Sequence, residues 1–160
     1  MFIKEINLIA FRNYVEANLK LDRQKTIIIG RNAQGKSNLI EVIQLLSQFK
    51  SRRAKKDSEL INFDLDQAII KVKIDNQDDD VSENDLDELA VLIRKSGRRT
   101  YKLNSANKKP AELLHKVLSV SFMSEDLNII NSSPSVRRDY LDSVVKQLSS
   151  SYSEELSKFE

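Results

Sequence analysis

The chain of 160 residues, 40% hydrophobic and 31% charged, has the composition of an ordinary soluble domain with room for one core and a small satellite. Cysteine is absent, which excludes a disulfide framework or thiolate metal cluster; no apolar run approaches the roughly 18 residues of a membrane span, and Met1 to Glu5 lack a signal peptide's basic head, so a cytoplasmic protein that does not enter membranes is expected. The net charge of +2 hides an asymmetry: Asp75 to Glu88 hold eight acids and no base, leaving the other 146 residues with 26 basic and 16 acidic side chains, a net of +10 suited to anionic partners.

In chain order, FIKEINLIAF alternates as a strand does, and NLKL pairs with it as a hairpin around RNYVEA. KTIIIG is more continuously apolar and predicts a strand buried on both faces. A glycine loop follows, then SNLIEVIQLLSQF, an α-helix of about three turns with Leu39, Ile43 and Leu46 on one stripe and Ile40 and Leu45 widening it. The runs from Ala68 to Ile74, Leu89 to Lys95 and Thr100 to Asn104 predict a β meander, with Gly97 turning between the last two. The acidic stretch between the first pair is expected to be an extended loop; a calcium site fits poorly, because no glycine stands where an EF-hand loop must turn. Pro110 opens a short helix in PAELLHKVL, KVLSVSF reads as a further strand, and Ser133 with Pro134 starts a helix whose stripe is Val136, Tyr140, Val144 and Leu148. His115, the sole histidine, reads as a structural side chain.

The loop GRNAQGKSN carries the chemistry. Gly30, Gly35, Lys36 and Ser37 satisfy G-x-x-x-x-G-K-[ST], and the predicted strand before it and helix after it are the context this pattern requires. Glycines let the backbone wrap an anion so that successive N–H groups point inward, and the helix adds unpaired donors and its positive dipole end. Lys36 is expected to reach the β and γ phosphates of ATP, and the Ser37 hydroxyl to ligate Mg2+ bridging them. Gln34 and Asn38 flank these positions and can hydrogen-bond phosphate or a partner subunit. The loop lacks G-x-G-x-x-G, which argues against a dinucleotide fold. Hydrolysis further needs an acid at the end of an apolar strand to hold the metal; Asp75 and Asp22 are the weak candidates, so the catalytic acid is expected to lie outside this sequence.

LIAFRNYVEANLKL, GRNAQGKSNLIEVIQLLS, SRRAKKDSELINF and SVSFMSEDLNIINSSPSVRRDYLD together resemble the RecF family of ABC-type DNA-repair ATPases, over residues 1 to about 148. The last two stretches discriminate, since P-loops are shared widely and F-R-N-Y also occurs in SMC-like ATPases. The chain departs from the family in Ser124, where proline is common, and in Ser132, where glycine is. The resemblance implies an α/β fold, a P-loop NTPase head of the ABC/SMC-like type, incomplete, with a mixed sheet and the start of a helical arm. Residues 1–109 are then the N-terminal ATPase lobe and 110–160 the start of the arm or second lobe. It implies that Arg12 and Asn13 approach the nucleotide while Gly30, Arg31, Asn32, Ala33, Gln34, Gly35, Lys36 and Ser37 wrap its phosphates. It also implies single-stranded or gapped DNA, RecR and RecO as partners, and an ATP-dependent homodimer in the full-length protein. The signature motif, the catalytic acid and a histidine-bearing loop are expected in a C-terminal half.

Read from the residues alone, Lys50, Arg52, Arg53, Lys55 and Lys56 form either a DNA phosphate patch or a solvated helix end, with Arg98, Arg99 and Lys102 as candidates to extend it. Arg137 and Arg138 can bind backbone phosphate, pair with Glu125 and Asp126, or couple nucleotide state to the arm, and structural pairing is the favoured expectation. The alternative to a repair ATPase is a P-loop domain that binds nucleotide without hydrolysing it and acts through protein contacts.

Overall fold

The computed structural model describes residues 1–76, 86–131 and 133–156. The acidic stretch 77–85, and with it the expected extended loop, lies outside the described residues, as does Ser132.

Six strands form one sheet in the order β2-β1-β3-β4-β5-β6, every pairing antiparallel: β1 Phe2–Phe11, β2 Tyr14–Lys20, β3 Gln67–Asp75, β4 Asp87–Arg94, β5 Thr100–Leu103 and β6 Ala106–Lys108. The expected hairpin and meander are therefore present. Alternation sets the sheet's buried face, with Ile6 and Leu8 on β1, Ala68, Ile70, Val72 and Ile74 on β3, and Leu89, Val91 and Ile93 on β4. A register shift between Ile3 and Glu5 leaves Lys4 as the extra residue of β1, and its ammonium meets the buried Asp75 at 3.5 Å. Strand β6 went unread because it is short and polar. Its signal is the two-residue loop Asn104–Ser105, where both residues have positive φ, 49° and 68°, as a tight hairpin of this twist requires. Gly97, at φ 103°, makes the preceding turn as expected.

Helix α1, Lys36–Gln48, packs Leu39, Val42, Leu45 and Leu46 into the cluster formed by the sheet, joined by Leu60 and Ile61. The stripe is rotated from expectation. Ile40 is exposed and Ile43 only partly buried, while Glu41, Gln44 and Ser47 are buried, because the same face that meets the sheet also meets polar groups from elsewhere in the chain. After the sheet come α2 Pro110–Leu113, the short helix expected at Pro110 and a single turn long, then α3 Asn128–Asn131, α4 Pro134–Leu148 and α5 Ser150–Leu156. Ser133 is the residue before α4 as predicted, but its hydroxyl pairs with that of Ser135 at 2.6 Å and leaves the helix amides alone. On α4, Val136 and Leu148 are exposed and Gln147 is buried.

Two expected strands are extended but unpaired. Residues 26–30 have no ladder partner among the described residues, and Ile27 and Ile29 are 74% and 89% exposed. Residues 118–122 run along α1 with Ser119 and Ser121 turned toward it: Ser121 Oγ accepts from Gln44 Nε2 at 2.6 Å, and Ser119 Oγ meets Ser47 Oγ at 2.7 Å. Val120 and Phe122 point the other way and are 96% and 76% exposed. Both runs have the alternation or apolarity of a strand, but a strand is completed by neighbours, and among the described residues these neighbours are missing.

Candidate functional site

The site forms where the tip of the first hairpin, the glycine loop and the segment after α1 meet. Residue 35 shows why the loop is built as it is. Gly35 has φ 95°, and a Cβ there would lie 2.5 Å from Asn13 Oδ1, so both its conformation and its closeness to the hairpin tip require glycine. Gly30, by contrast, has room for a side chain. Ala33 adopts φ 64°, a left-handed conformation that costs an L-residue about 1 kcal/mol or more. Helix α1 begins at Lys36, so its first amide donors and its positive end face the loop.

A pocket of about 450 Å³ is lined by Asn13, Asn32, Ala33, Gly35, Lys36, Ser37, Asn38 and Arg53. Of the residues read from the sequence, it thus brings together Asn13, Asn32, Ala33, Gly35, Lys36, Ser37 and Asn38. Gly30 and Arg31 act through Lys36, whose ammonium donates to their carbonyls at 2.6 and 2.5 Å. Gln34 is exposed and does not line the pocket. Ser37 lines the pocket next to Lys36, and a serine hydroxyl is an oxygen ligand of the kind magnesium takes. Asn38 Nδ2 donates to Asn13 Oδ1 at 2.8 Å, tying the first turn of the helix to the hairpin.

Arg12 does not line this pocket. Its Nε and Nη2 donate to the two oxygens of Glu41 at 3.0 and 2.6 Å, and its Nη1 donates to the Glu59 carbonyl at 2.7 Å. Glu41 is wholly buried, so the pair is paid for by this fork geometry, and removing one partner costs about 3–5 kcal/mol. Arg12 instead lines a second pocket, of about 430 Å³, with Asn13, Asn38, Arg53, Ser58, Glu59, Ile61, Asn62 and Phe63. The two pockets share Asn13, Asn38 and Arg53. Phe11 bridges Ile61 and Asn62 N donates to Ala10 O at 2.8 Å, which brings Phe63, 96% exposed, to the lining of this second pocket.

The basic segment divides. Arg53 lines the pocket around Lys36: its Nη1 donates to Asn38 Oδ1 at 2.9 Å and lies 3.6 Å from Glu41 Oε2. Sequence reasoning grouped it with its neighbours because nothing local separates Arg52 from Arg53. Arg52 turns the opposite way, meeting Asp126 at 2.5 Å and standing 5.4 Å over the ring of Tyr140. Lys50, Lys55 and Lys56 remain exposed. Arg99 does not extend a surface patch: it grips Asp57 through Nε and Nη2 and caps the end of α1 through the Phe49 carbonyl at 2.7 Å. Arg137 donates to the carbonyls of Ile129 and Ile130 at 3.1 Å each, and Asp126, its expected partner, is taken by Arg52. The structural reading of His115 agrees with its contact, Nδ1 to the Gln147 carbonyl at 2.6 Å.

Neither candidate acid serves the pocket. Asp75 pairs with Phe2 at the opposite end of β1 from Asn13, roughly 30 Å away for ten residues of strand. Asp22 accepts from the amides of Gln24 and Lys25, which hold its carboxyl below the usual aspartate range as part of a turn. No carboxylate lines the pocket around Lys36 among the described residues, and no helix among them is long and apolar enough to cross a membrane.

Comparison with known proteins agrees with this architecture. The chain is 39% identical over 160 residues to the DNA replication and repair protein RecF of Gloeobacter violaceus, covering 99% of this chain and 41% of that protein. It is 34% identical to RecF of Bacillus subtilis, covering 100% and 42%. The chain thus spans about two fifths of the length of these relatives. A solved structure of the recombination mediator protein RecF with ATP superposes with a TM-score of 0.86 at 34% identity, over 97% of this chain and 40% of that one. An SMC ATPase structure superposes at 0.71 with 22% identity, covering 93% and 100%, a likeness of fold alone. Residues 2–149 match the RecF/RecN/SMC N-terminal domain, and the chain belongs to that family, with its likeness on the RecF side.

Proposed function

We propose that the chain is the ATP-binding part of a RecF-like DNA-repair ATPase, with the pocket around Lys36 and Ser37 as its phosphate site. The observation that carries this reading is the joining of Asn13, the glycine loop, the start of α1 and Arg53 around one cavity of about 450 Å³. Lys36 and Arg53 supply cationic charge there, Ser37 the oxygen for a magnesium ion that draws the phosphates together, and the adjoining pocket with Phe63 and Asn62 is a shelf of the right kind for a nucleobase. The relative's structure was solved with ATP, which supports the same assignment for this chain. Because the lining holds no acid, binding rather than hydrolysis is what these residues support by themselves. A domain that binds without hydrolysing is therefore the second reading.

Calorimetric titration with magnesium-ATP tests the site. Wild-type protein is expected to bind, and Lys36→Ala to weaken binding at least about 100-fold while leaving the fold intact by circular dichroism. Equal affinity in the two proteins rejects the site.

DNA repair at single-stranded or gapped DNA, partnership with RecR and RecO, and an ATP-dependent homodimer belong to this proposal through kinship with RecF. Arg98 and Lys102 are exposed, and within the basic segment the cations that remain for DNA phosphates are Lys50, Lys55 and Lys56. Their joint change to alanine is expected to weaken binding of gapped DNA without regard to sequence and to flatten its salt dependence, as read by gel shift at low and high salt; an unchanged salt slope argues against this surface.

A further inference from the structure

Glu41 lies on α1, fully buried, and does not line the phosphate pocket. Its carboxylate nevertheless gathers the groups around that pocket. It accepts from Arg12 at 2.6 and 3.0 Å and from Ser51 Oγ at 2.5 Å, and Arg53 Nη1 stands 3.6 Å from Oε2. Ser51 Oγ in turn accepts from the amides of Arg53 and Ala54 at 3.0 and 2.9 Å, so the same cluster fixes the backbone that carries Arg53.

Two guanidinium groups that approach one carboxylate lie close to each other, and in partly buried surroundings they repel strongly unless that carboxylate is charged and between them. Arg12 is the more firmly held, with three donor atoms engaged and a side chain 19% exposed, against 34% for Arg53. Loss of the negative charge would therefore move Arg53, away from Asn38 and from the pocket wall. We propose that Glu41 is a positioning residue for nucleotide binding: it holds Arg53 at the phosphate pocket by offsetting the charge of Arg12 behind it. This role rests on the assignment of the pocket to a nucleotide and adds to it a residue that the ligand does not touch.

The test is a double-mutant cycle on magnesium-ATP affinity, with wild type, Glu41→Gln, Arg53→Ala and the double variant, each also melted to register its fold. Both single changes are expected to weaken binding about 10-fold, and the double variant to bind within about 2-fold of Arg53→Ala alone, since Glu41 acts through Arg53. Glu41→Gln lowers the melting temperature on either account, because it breaks the Arg12 pair; a merely structural carboxylate is told apart by losses that multiply in the double variant. That result, or wild-type affinity in Glu41→Gln, overturns the inference. Should Glu41→Gln fail to fold, Glu41→Asp draws the carboxylate back from Arg53; a loss of affinity that again merges with Arg53→Ala supports the role, and losses that multiply in the double variant overturn it. Failure of the wild-type protein to bind magnesium-ATP at all would instead overturn the nucleotide assignment beneath it.

Discussion

Ala33 and Gly35 show how conformation and chemistry share the phosphate loop. Both have positive φ, but only Gly35 is free of the cost. Ala33→Gly is expected to stabilise the folded protein by about 0.5–1 kcal/mol, the relief of left-handed strain being partly offset by greater freedom of the unfolded chain; the midpoint of urea denaturation reads this directly. The gathering of Asn32, Ala33, Gly35, Lys36 and Ser37 around one pocket was legible, because glycine and lysine at a fixed spacing are recorded in a linear sequence. Arg12, Arg52 and Arg53 were not. Each is a cation in a polar stretch, and what separates a phosphate ligand from a buried ion pair is the partner it finds: Glu41 for Arg12, Asp126 for Arg52, Asn38 for Arg53. Those partners are brought in by folding, from 29, 74 and 15 residues away.

At the level of elements, the antiparallel strands were readable from alternation, and their edges are fastened by side chains that alternation does not report. Asp87, at the start of β4, accepts from Asn104 Nδ2 and Asn76 Nδ2 at 2.8 Å each and lies 3.3 Å from Lys116 Nζ. The Asn104 hydrogen bond, helped by Lys116, holds the Asp87 carboxyl below the ordinary aspartate value of 3.8. A lowered folded value means that the ionised group stabilises the fold fully above about pH 4 and that this contribution fades as the pH falls through the lower folded value. Wild type is therefore expected to exceed Asp87→Asn in stability by a constant margin near neutrality, with the margin shrinking below about pH 4, as measured by urea midpoints across pH. A margin that persists undiminished in acid argues that Asp87 contributes through shape alone. The strands expected at 26–30 and 118–122 show the converse limit. Their residues are right for a sheet, but pairing is a property of two segments, and the pattern of one segment cannot supply the other.

Over the whole molecule, two surfaces differ sharply. One is the packed junction of sheet and α1; the other is made of separate segments, which carry Ile27 and Ile29, and Val120 and Phe122, into solvent. Exposed apolar side chains in extended backbone are a liability for association. Joint change of Ile29 and Val120 to lysine is expected to shift the 160-residue chain toward monomer in sedimentation velocity at unchanged melting temperature. An unchanged distribution would mean that these residues do not drive association. The order of the sheet adds a consequence in time. From β3 onward each strand pairs with the next one made, and β1 finds β3 after a single excursion through the phosphate loop and α1. All six strands are therefore available once Lys108 has left the ribosome, and the sheet can close while later residues are still being synthesised. Such a schedule makes the phosphate loop, inserted between β2 and β3, an early product of synthesis, held in shape by its hairpin and helix before the solvent-facing ridge at Val120 and Phe122 has emerged.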